Sequence, residues 1–462
     1  MSEARHDILF ELGRNLDIKN VGLIVNLGLS EIELHSFSFF VPNRLTLYRI
    51  ADGGSFLKGL FSLIFKGFVD YRNIYGEARR SYMDKKINVA ITVNITDPTE
   101  SFFTNGIKQN AIILRDCLIK ADVVNECYYM NFGTQKDVSK SPWNEYEKWI
   151  INDFKEALEK IDLFINVCIF MGDGEIQAAR EKGAKVINHV MGNEYYGFME
   201  NVLFKTDHPS IIRKVKGMDA SWISPHLYEN NKALFEVLYD APAEIGPYIW
   251  SPRFLMHHVE ELKLKGYPEV YQPSSEPQKR VSTFEPNIGM NKTAIFPMII
   301  AEKFHEKYPN EVKKFSMFGT AHVKDKKSFL KFALDLHVNK AKKMFFEARY
   351  PITWALQKHS DIVLSHQQDC DLNYLYFDAA WLGFPVIHNA AMVPELGWYY
   401  PRFDDEMAVK HLHEVIRVFD RVPGYREEYL KNSREIISKF LPEHERNVKG
   451  YNDLIVKLFK KS

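Results

Sequence analysis

Cysteine is scarce in this chain of 462 residues: Cys117, Cys127, Cys168 and Cys370 stand far apart, and no Cys-x-x-Cys pair occurs. Each falls beside apolar residues or inside an expected element, as buried free thiols do, so a reducing compartment is expected. A charge of one sign is lacking too, because Lys plus Arg and Asp plus Glu both total 60. The balance gives no long-range attraction to nucleic acid or to an anionic membrane and leaves only local patches for such partners. No window of about eighteen residues is free of charge, as a membrane-crossing helix requires. The first residues, Met-Ser-Glu-Ala-Arg-His-Asp, have neither the basic nor the apolar section of a signal peptide. The expected location is the cytoplasm, of a cell or of an infected host.

What is present is an ordinary globular composition, 46% hydrophobic and 26% charged, long enough for roughly two or three domains. Residues 1–85 form an extension of uncertain α+β character, with strands expected at 21–25 and 45–50. Its apolar stretch 56–68, carrying Lys58 and Lys66, reads either as a helix packed on the next domain or as a peripheral membrane contact. From 87–95 onward, nearly continuous apolar runs alternate with helical segments, for instance 107–121, 144–160 and 175–182. That alternation implies a parallel sheet with right-handed crossovers. Prolines at 247, 252, 268, 273 and 277 mark a hinge and linker, and a second set of strands and helices follows. The organisation is an extension 1–85, a domain 86–255, a linker 256–280, a domain 281–420 and terminal helices 421–462 that pack back on the first domain.

In open parallel sheets, ligands sit beyond the carboxyl ends of the strands. Candidate residues follow from that rule. In the first domain they are Asp97, Glu100, Asn105 and Gly106 after the first strand, and His189, Asn193 and Glu194 after the strand ending at 190. His189 reads as a cleft acid or base, or as a satisfied core histidine. In the second domain, Asn287, Gly289, Lys292 and Thr293 lie where a strand runs into a helix, a place whose free amides receive anions. Lys292 reads as a cation on such an anion or as a solvated lysine at a helix start. Arg349 leaves the sheet at the same edge. The spacing does not match a Walker loop.

The most specific stretch is 361–389. A short strand, the loop Ser365 to Leu372, and a helix from about Asn373 to Leu382 that carries Tyr374 and Asp378 lead into Gly383-Phe-Pro-Val-Ile387. This resembles the donor-site helix of GT-B glycosyltransferases, in which an acidic residue, two small residues, a bulky one, Gly and Pro-Val-Ile recur in that order. The resemblance extends over 87–462 and implies an α/β fold of two Rossmann-like domains facing a cleft. It also implies that Asp378 holds the ribose of a nucleotide sugar, UDP-sugar foremost, while Lys292 and Arg349 hold its diphosphate. A second acid eight positions before Asp378 is absent, since Cys370 stands there between Asp369 and Asp371, and these two are candidates for the sugar hydroxyls. His366, Asn373 and Tyr374 complete the donor set.

The implied activity is transfer of a hexosyl or pentosyl group to a hydroxyl acceptor without a metal or cofactor. Asp97, Glu100 or His189 supplies a base if the anomeric centre inverts. The branch resembled is bacterial and viral, and it names no acceptor: a glycan, a protein or a modified base of viral DNA all remain, with neutral charge counting against DNA. A nucleotide-sugar epimerase and a non-catalytic nucleotide-sugar binder are the alternatives.

Overall fold

The computed structural model describes residues 86–99, 106–204 and 213–460, together with three strands nearer the amino terminus. Two compact units divide the chain, Met1–Asp84 and Lys85–Ser462. In the first, β1 (Gly22–Leu23), β2 (Phe37–Val41) and β3 (Arg44–Tyr48) pair antiparallel in that order. Segment 56–68 lies outside the described residues.

The second unit contains two parallel sheets. One has seven strands, β4 (Ile87–Val93), β5 (Val124–Asn131), β6 (Ile150–Ile151), β7 (Leu163–Asn166), β8 (Lys185–Val190), β9 (Ala220–Ile223) and β10 (Ala243–Ile245). The other has six, β11 (Lys279–Thr283), β12 (Val312–Met317), β13 (Met344–Phe346), β14 (Ile362–Leu364), β15 (Val386–His388) and β16 (Trp398–Tyr399). Their orders are β10-β9-β8-β7-β4-β5-β6 and β13-β12-β11-β14-β15-β16. In each, the chain starts near the middle, moves out to one edge, returns to the middle and moves to the other edge. The order therefore reverses between β4 and β7 in the first sheet and between β11 and β14 in the second. Such a reversal separates the loops on either side of it and opens a crevice at the strand ends. The fold is thus two Rossmann-like lobes of the GT-B kind.

The strands are central because they are apolar on both faces. In β4 every residue from Val89 to Val93 is buried, the pattern of a parallel strand covered by helices on both sides. The paired starts of β11 and β14 are held by charge. Arg280 donates from Nε to Asp361 Oδ2 at 3.0 Å and from Nη2 to Oδ1 at 2.7 Å, while Asp361 itself is fully buried. This two-pronged contact is the geometry in which an arginine holds a carboxylate best.

Two expected elements take another form. The helix expected at 144–160 is split into a 3-10 helix Pro142–Trp149, the short strand β6, and a helix Phe154–Lys160. Trp143 and Tyr146 are drawn into the core beside Tyr129, and Ile150 and Ile151 pair with β5, which together override the helical pattern. The proline segment around 252 opens a helix, Arg253–Lys263, with Pro252 at its entrance. At a helix start the ring takes the place of an N–H that has no partner, so proline is tolerated there.

The chain ends by crossing between lobes. Helix Tyr425–Ser438 packs beside Gly383 of the second lobe through Leu430. The last helix, Glu445–Lys460, buries Tyr451 against His189 and Trp222 of the first. No helix among the described residues is long and apolar enough to cross a membrane.

Candidate functional site

The loop after β11 is closed on itself. Asn287 adopts a left-handed backbone, φ 55°, and donates from Nδ2 to the carbonyls of Glu285 at 2.6 Å and Gly319 at 3.2 Å. Its Oδ1 accepts from Ala294 N at 2.8 Å, at the entrance to helix Ile295–Lys307. Asn287 therefore shapes the loop and has no free amide for a ligand. Gly319 must lack a side chain beside it, because a Cβ there would stand 2.7 Å from the Glu285 carbonyl and φ is 75°. Gly289 lies at the tip, facing Glu200 of the other lobe, whose carboxylate accepts from Met290 N at 2.6 Å.

Lys292 is half-buried in this loop, and among the described residues its ammonium has no hydrogen bond or ion pair. Its charge acts on Glu285 and Cys370 of its own lobe and on His226 of the first lobe. Those three neighbours place it in the crevice between the lobes. Thr293 follows it, also half-buried. Arg349 is exposed at the end of the loop after β13.

Within reach of the Lys292 charge lies Glu285, which sequence reasoning missed. It is 0% exposed, and it accepts from Ser365 Oγ, from Gln367 Nε2 at 2.9 Å and from His366 N at 3.3 Å. Burial pushes its carboxyl up to about 7, against the pull of these donors and of Lys292. His366 packs among Phe296, Tyr400 and Phe403, and burial lowers it to about 4. Its ring is neutral and its Nδ1 lies 3.2 Å from Tyr400 Oη.

The loop after β14 crosses to the first lobe. Asp369, with φ 47°, accepts from Tyr196 Oη at 2.6 Å and from Asn230 Nδ2 at 3.5 Å, and its carbonyl accepts from Asn193 Nδ2 at 3.4 Å. Cys370 packs into the core of the first lobe and takes Asn291 Nδ2 at 3.1 Å. Asp371 turns the other way, accepting from Met392 N at 3.1 Å, and burial raises its carboxyl. Asp369 and Asp371 thus face different partners and do not converge.

Asn373 caps helix Tyr374–Trp381 by accepting from Leu375 N, a strong N-cap arrangement. Tyr374 Oη donates to Asn110 of the first lobe and lies 3.3 Å from the Ile249 carbonyl. Asp378, a turn further on, accepts from Trp250 Nε1 at 2.9 Å. Burial pushes its carboxyl up to about 7, with the indole N–H opposing. No hydrogen bond or ion pair joins Asp378 to Lys292.

On the first lobe, Asp97 makes a local turn, accepting from Thr99 N at 2.7 Å and from Thr99 Oγ1 at 2.8 Å. These bonds hold its exposed carboxyl below the usual range. Gly106 opens helix Gly106–Leu118 in open space, while Glu100 and Asn105 lie outside the described residues. His189 is 5% exposed, its Nε2 2.8 Å from Tyr451 Oη, and burial lowers it to about 4. Asn193 and Glu194 begin helix Glu194–Phe204, where Asn193 Oδ1 accepts from Asn231. The same helix carries Tyr196 and Glu200, so one element of the first lobe touches both ligand-edge loops of the second. A cluster suited to a cation by side-chain type, Glu302, Glu306 and His337, lies away from this crevice. Glu302 there caps the N–H groups of His337 and Val338.

Glu285, Glu200 and Trp250 left no sequence signal. Glu285 sits before a proline, Glu200 inside a helix and Trp250 in the hinge, and only the folding together of distant loops gives them a role.

The model of the family described as "Protein of unknown function (DUF2827)" matches residues 89–455. None of the curated proteins matches the chain. Among solved structures, the chain is similar to a mutant O-GlcNAc transferase of Thermobaculum terrenum at 12% identity, covering 82% of this chain and 68% of that one, with a TM-score of 0.47. It is similar to Anabaena HepE in complex with UDP-glucose at 11% identity, covering 81% and 100%, TM-score 0.42. A glycosyltransferase from Rickettsia africae matches at 12% identity, covering 82% and 100%, TM-score 0.46.

Proposed function

We propose, from the premise that this chain belongs to the DUF2827 family, that it is a metal-independent glycosyltransferase taking a sugar from a nucleoside diphosphate sugar, UDP-sugar foremost. The receiving group is a hydroxyl, on a glycan, a protein or a modified base of viral DNA. The observation that carries the reading is Lys292: a half-buried cation at the order reversal of the second sheet, its charge acting on His226 of the first lobe, and its ammonium without a hydrogen bond or ion pair among the described residues. A lysine kept out of ion pairs beside loop amides and a helix start is suited to a multiply charged anion.

In this reading the diphosphate lies against Lys292 and the loop 286–293, with Arg349 reaching it from the neighbouring loop. Asp378 holds the ribose from helix Tyr374–Trp381, exchanging or sharing its bond to Trp250. Asp369 and the adjoining loop meet the sugar. As the glycosidic bond to the departing diphosphate breaks, Lys292 stabilises the negative charge that develops on it. The hydroxyl proton goes to Asp97 or Glu100 if the centre inverts. His189, enclosed against Tyr451, serves the packing of the last helix.

The test is release of UDP or GDP from UDP- and GDP-sugars, with and without hydroxyl acceptors. Acceptor-dependent release, lost in Lys292→Ala, supports transfer. Conversion of one nucleotide sugar into another without acceptor favours the epimerase, and binding without turnover favours a binding protein.

A further inference from the structure

Glu285 is a fully enclosed carboxylate on which the charge of Lys292 acts. The titratable groups around it come from four parts of the lobe. Lys292 stands on its own loop, His366 and Cys370 on the loop after β14, and Tyr376 and Tyr400 on the following helix and after β16. Burial keeps His366 neutral and raises the thiol and both phenols. At neutral pH, Lys292 is therefore the one counter-charge that Glu285 has.

A buried carboxylate without a cation is strongly unfavourable and neutralises by taking a proton. If Lys292 turns to a diphosphate, as the proposed function requires and on which this inference rests, Glu285 loses part of that compensating charge and gains a negative neighbour. We infer that Glu285 is a positioning residue that takes up one proton from solvent as the donor binds, so that the nucleotide sugar and a proton enter the site together.

The hydrogen bonds around Glu285 accommodate both states. As a carboxylate it accepts from Ser365 Oγ, Gln367 Nε2 and His366 N. As a carboxylic acid its new O–H donates to Ser365 Oγ, whose hydroxyl is free to turn to Tyr376 Oη, 3.3 Å away. The Gln367 and His366 donors stay in place on the other oxygen and on the same one. The loop leading to Asp369 and Asp378 thus keeps its shape while the charge beneath it is removed. A carboxyl already raised to about 7 agrees with a group close to that change.

The experiment is calorimetric titration of the full chain with UDP-glucose and GDP-glucose at about pH 8, in two buffers of different ionisation enthalpy. The diphosphate diester of either sugar carries no group titrating near neutrality, so a proton taken up belongs to the protein. Uptake of about half a proton or more per donor bound is expected for the parent chain, and none for Glu285→Gln, whose amide is neutral throughout. Binding without uptake, or equal uptake by Glu285→Gln, overturns the inference while leaving the proposed function standing. Absence of binding by both sugars overturns the two together. Should Glu285→Gln not fold, the parent's own affinity decides: it is expected to weaken by up to about tenfold per pH unit above neutrality, and a flat profile overturns the inference.

Discussion

The backbone N–H of Met290 donates to Glu200 Oε1 at 2.6 Å, so a carboxylate of the first lobe is seated on a loop amide of the second. Gly289 makes room for it, since a Cβ there would come within 3.3 Å of the same oxygen. A phosphate oxygen arriving at this loop competes with Glu200 for that N–H. Glu200→Ala is therefore predicted to bind UDP-glucose several-fold more tightly. The lost cross-lobe bond should also reduce stability by about 1–3 kcal/mol. Calorimetry and urea unfolding check the two effects separately.

The Arg280 to Asp361 pair fixes the two central strands of the second sheet. Removing the guanidinium leaves a fully buried carboxylate without its paired cation, which costs about 3–5 kcal/mol. Arg280→Met is predicted to lower the denaturation midpoint accordingly. Adding Asp361→Leu to it should recover most of the loss, because the orphaned charge is then gone.

Glu285 sets one part of the stability against pH. Its carboxyl stands at about 7 in the fold against an ordinary value of 4.5, so between those values the folded chain holds more protons than the unfolded one. The stability that it contributes is full below 4.5 and declines as pH rises to about 7. Glu285→Gln removes that decline. The difference in unfolding free energy, variant minus parent, is predicted to grow across this window by about 3 kcal/mol at most and then level off. The comparison between the two proteins cancels the opposing histidines, since His189 and His366, buried neutral, lose stability as pH falls below 6.5 in both.

Tyr451 joins three parts of the chain: its hydroxyl lies 2.8 Å from His189 Nε2 and donates to the Pro247 carbonyl at 2.8 Å. Tyr451→Phe takes this partner from the buried His189 Nε2 and from the half-buried Pro247 carbonyl. A loss of about 1–3 kcal/mol is predicted in urea unfolding, with donor binding unchanged. A large fall in donor affinity instead would return His189 to the site.

The architecture was legible because parallel strands covered on both faces need unbroken apolar runs, as in Val89 to Val93, and because Gly383 and Pro385 mark the helix end before β15. The split of 144–160 was not legible. Trp143, Tyr146 and the pair Ile150-Ile151 fit a helical pattern as well as the strand and core positions they occupy, and only packing against β5 distinguishes them. Within the candidate site, the choice of Lys292 rests on a strand that runs through glycine into a helix. Asn287, read as a ligand contact, braces the loop by three hydrogen bonds from its side chain, a role set by the left-handed backbone at that position. Glu285 depends on the approach of two loops some eighty residues apart in sequence, which no local pattern encodes.

The measurement closest to the central claim is titration of the chain with UDP-glucose and GDP-glucose, beside Lys292→Ala and Asp378→Asn, with unfolding midpoints confirming that each variant is folded. The account predicts saturable binding of at least one sugar by the parent, weakened about tenfold or more in each variant. Binding of neither sugar, or equal binding by Lys292→Ala, would contradict it.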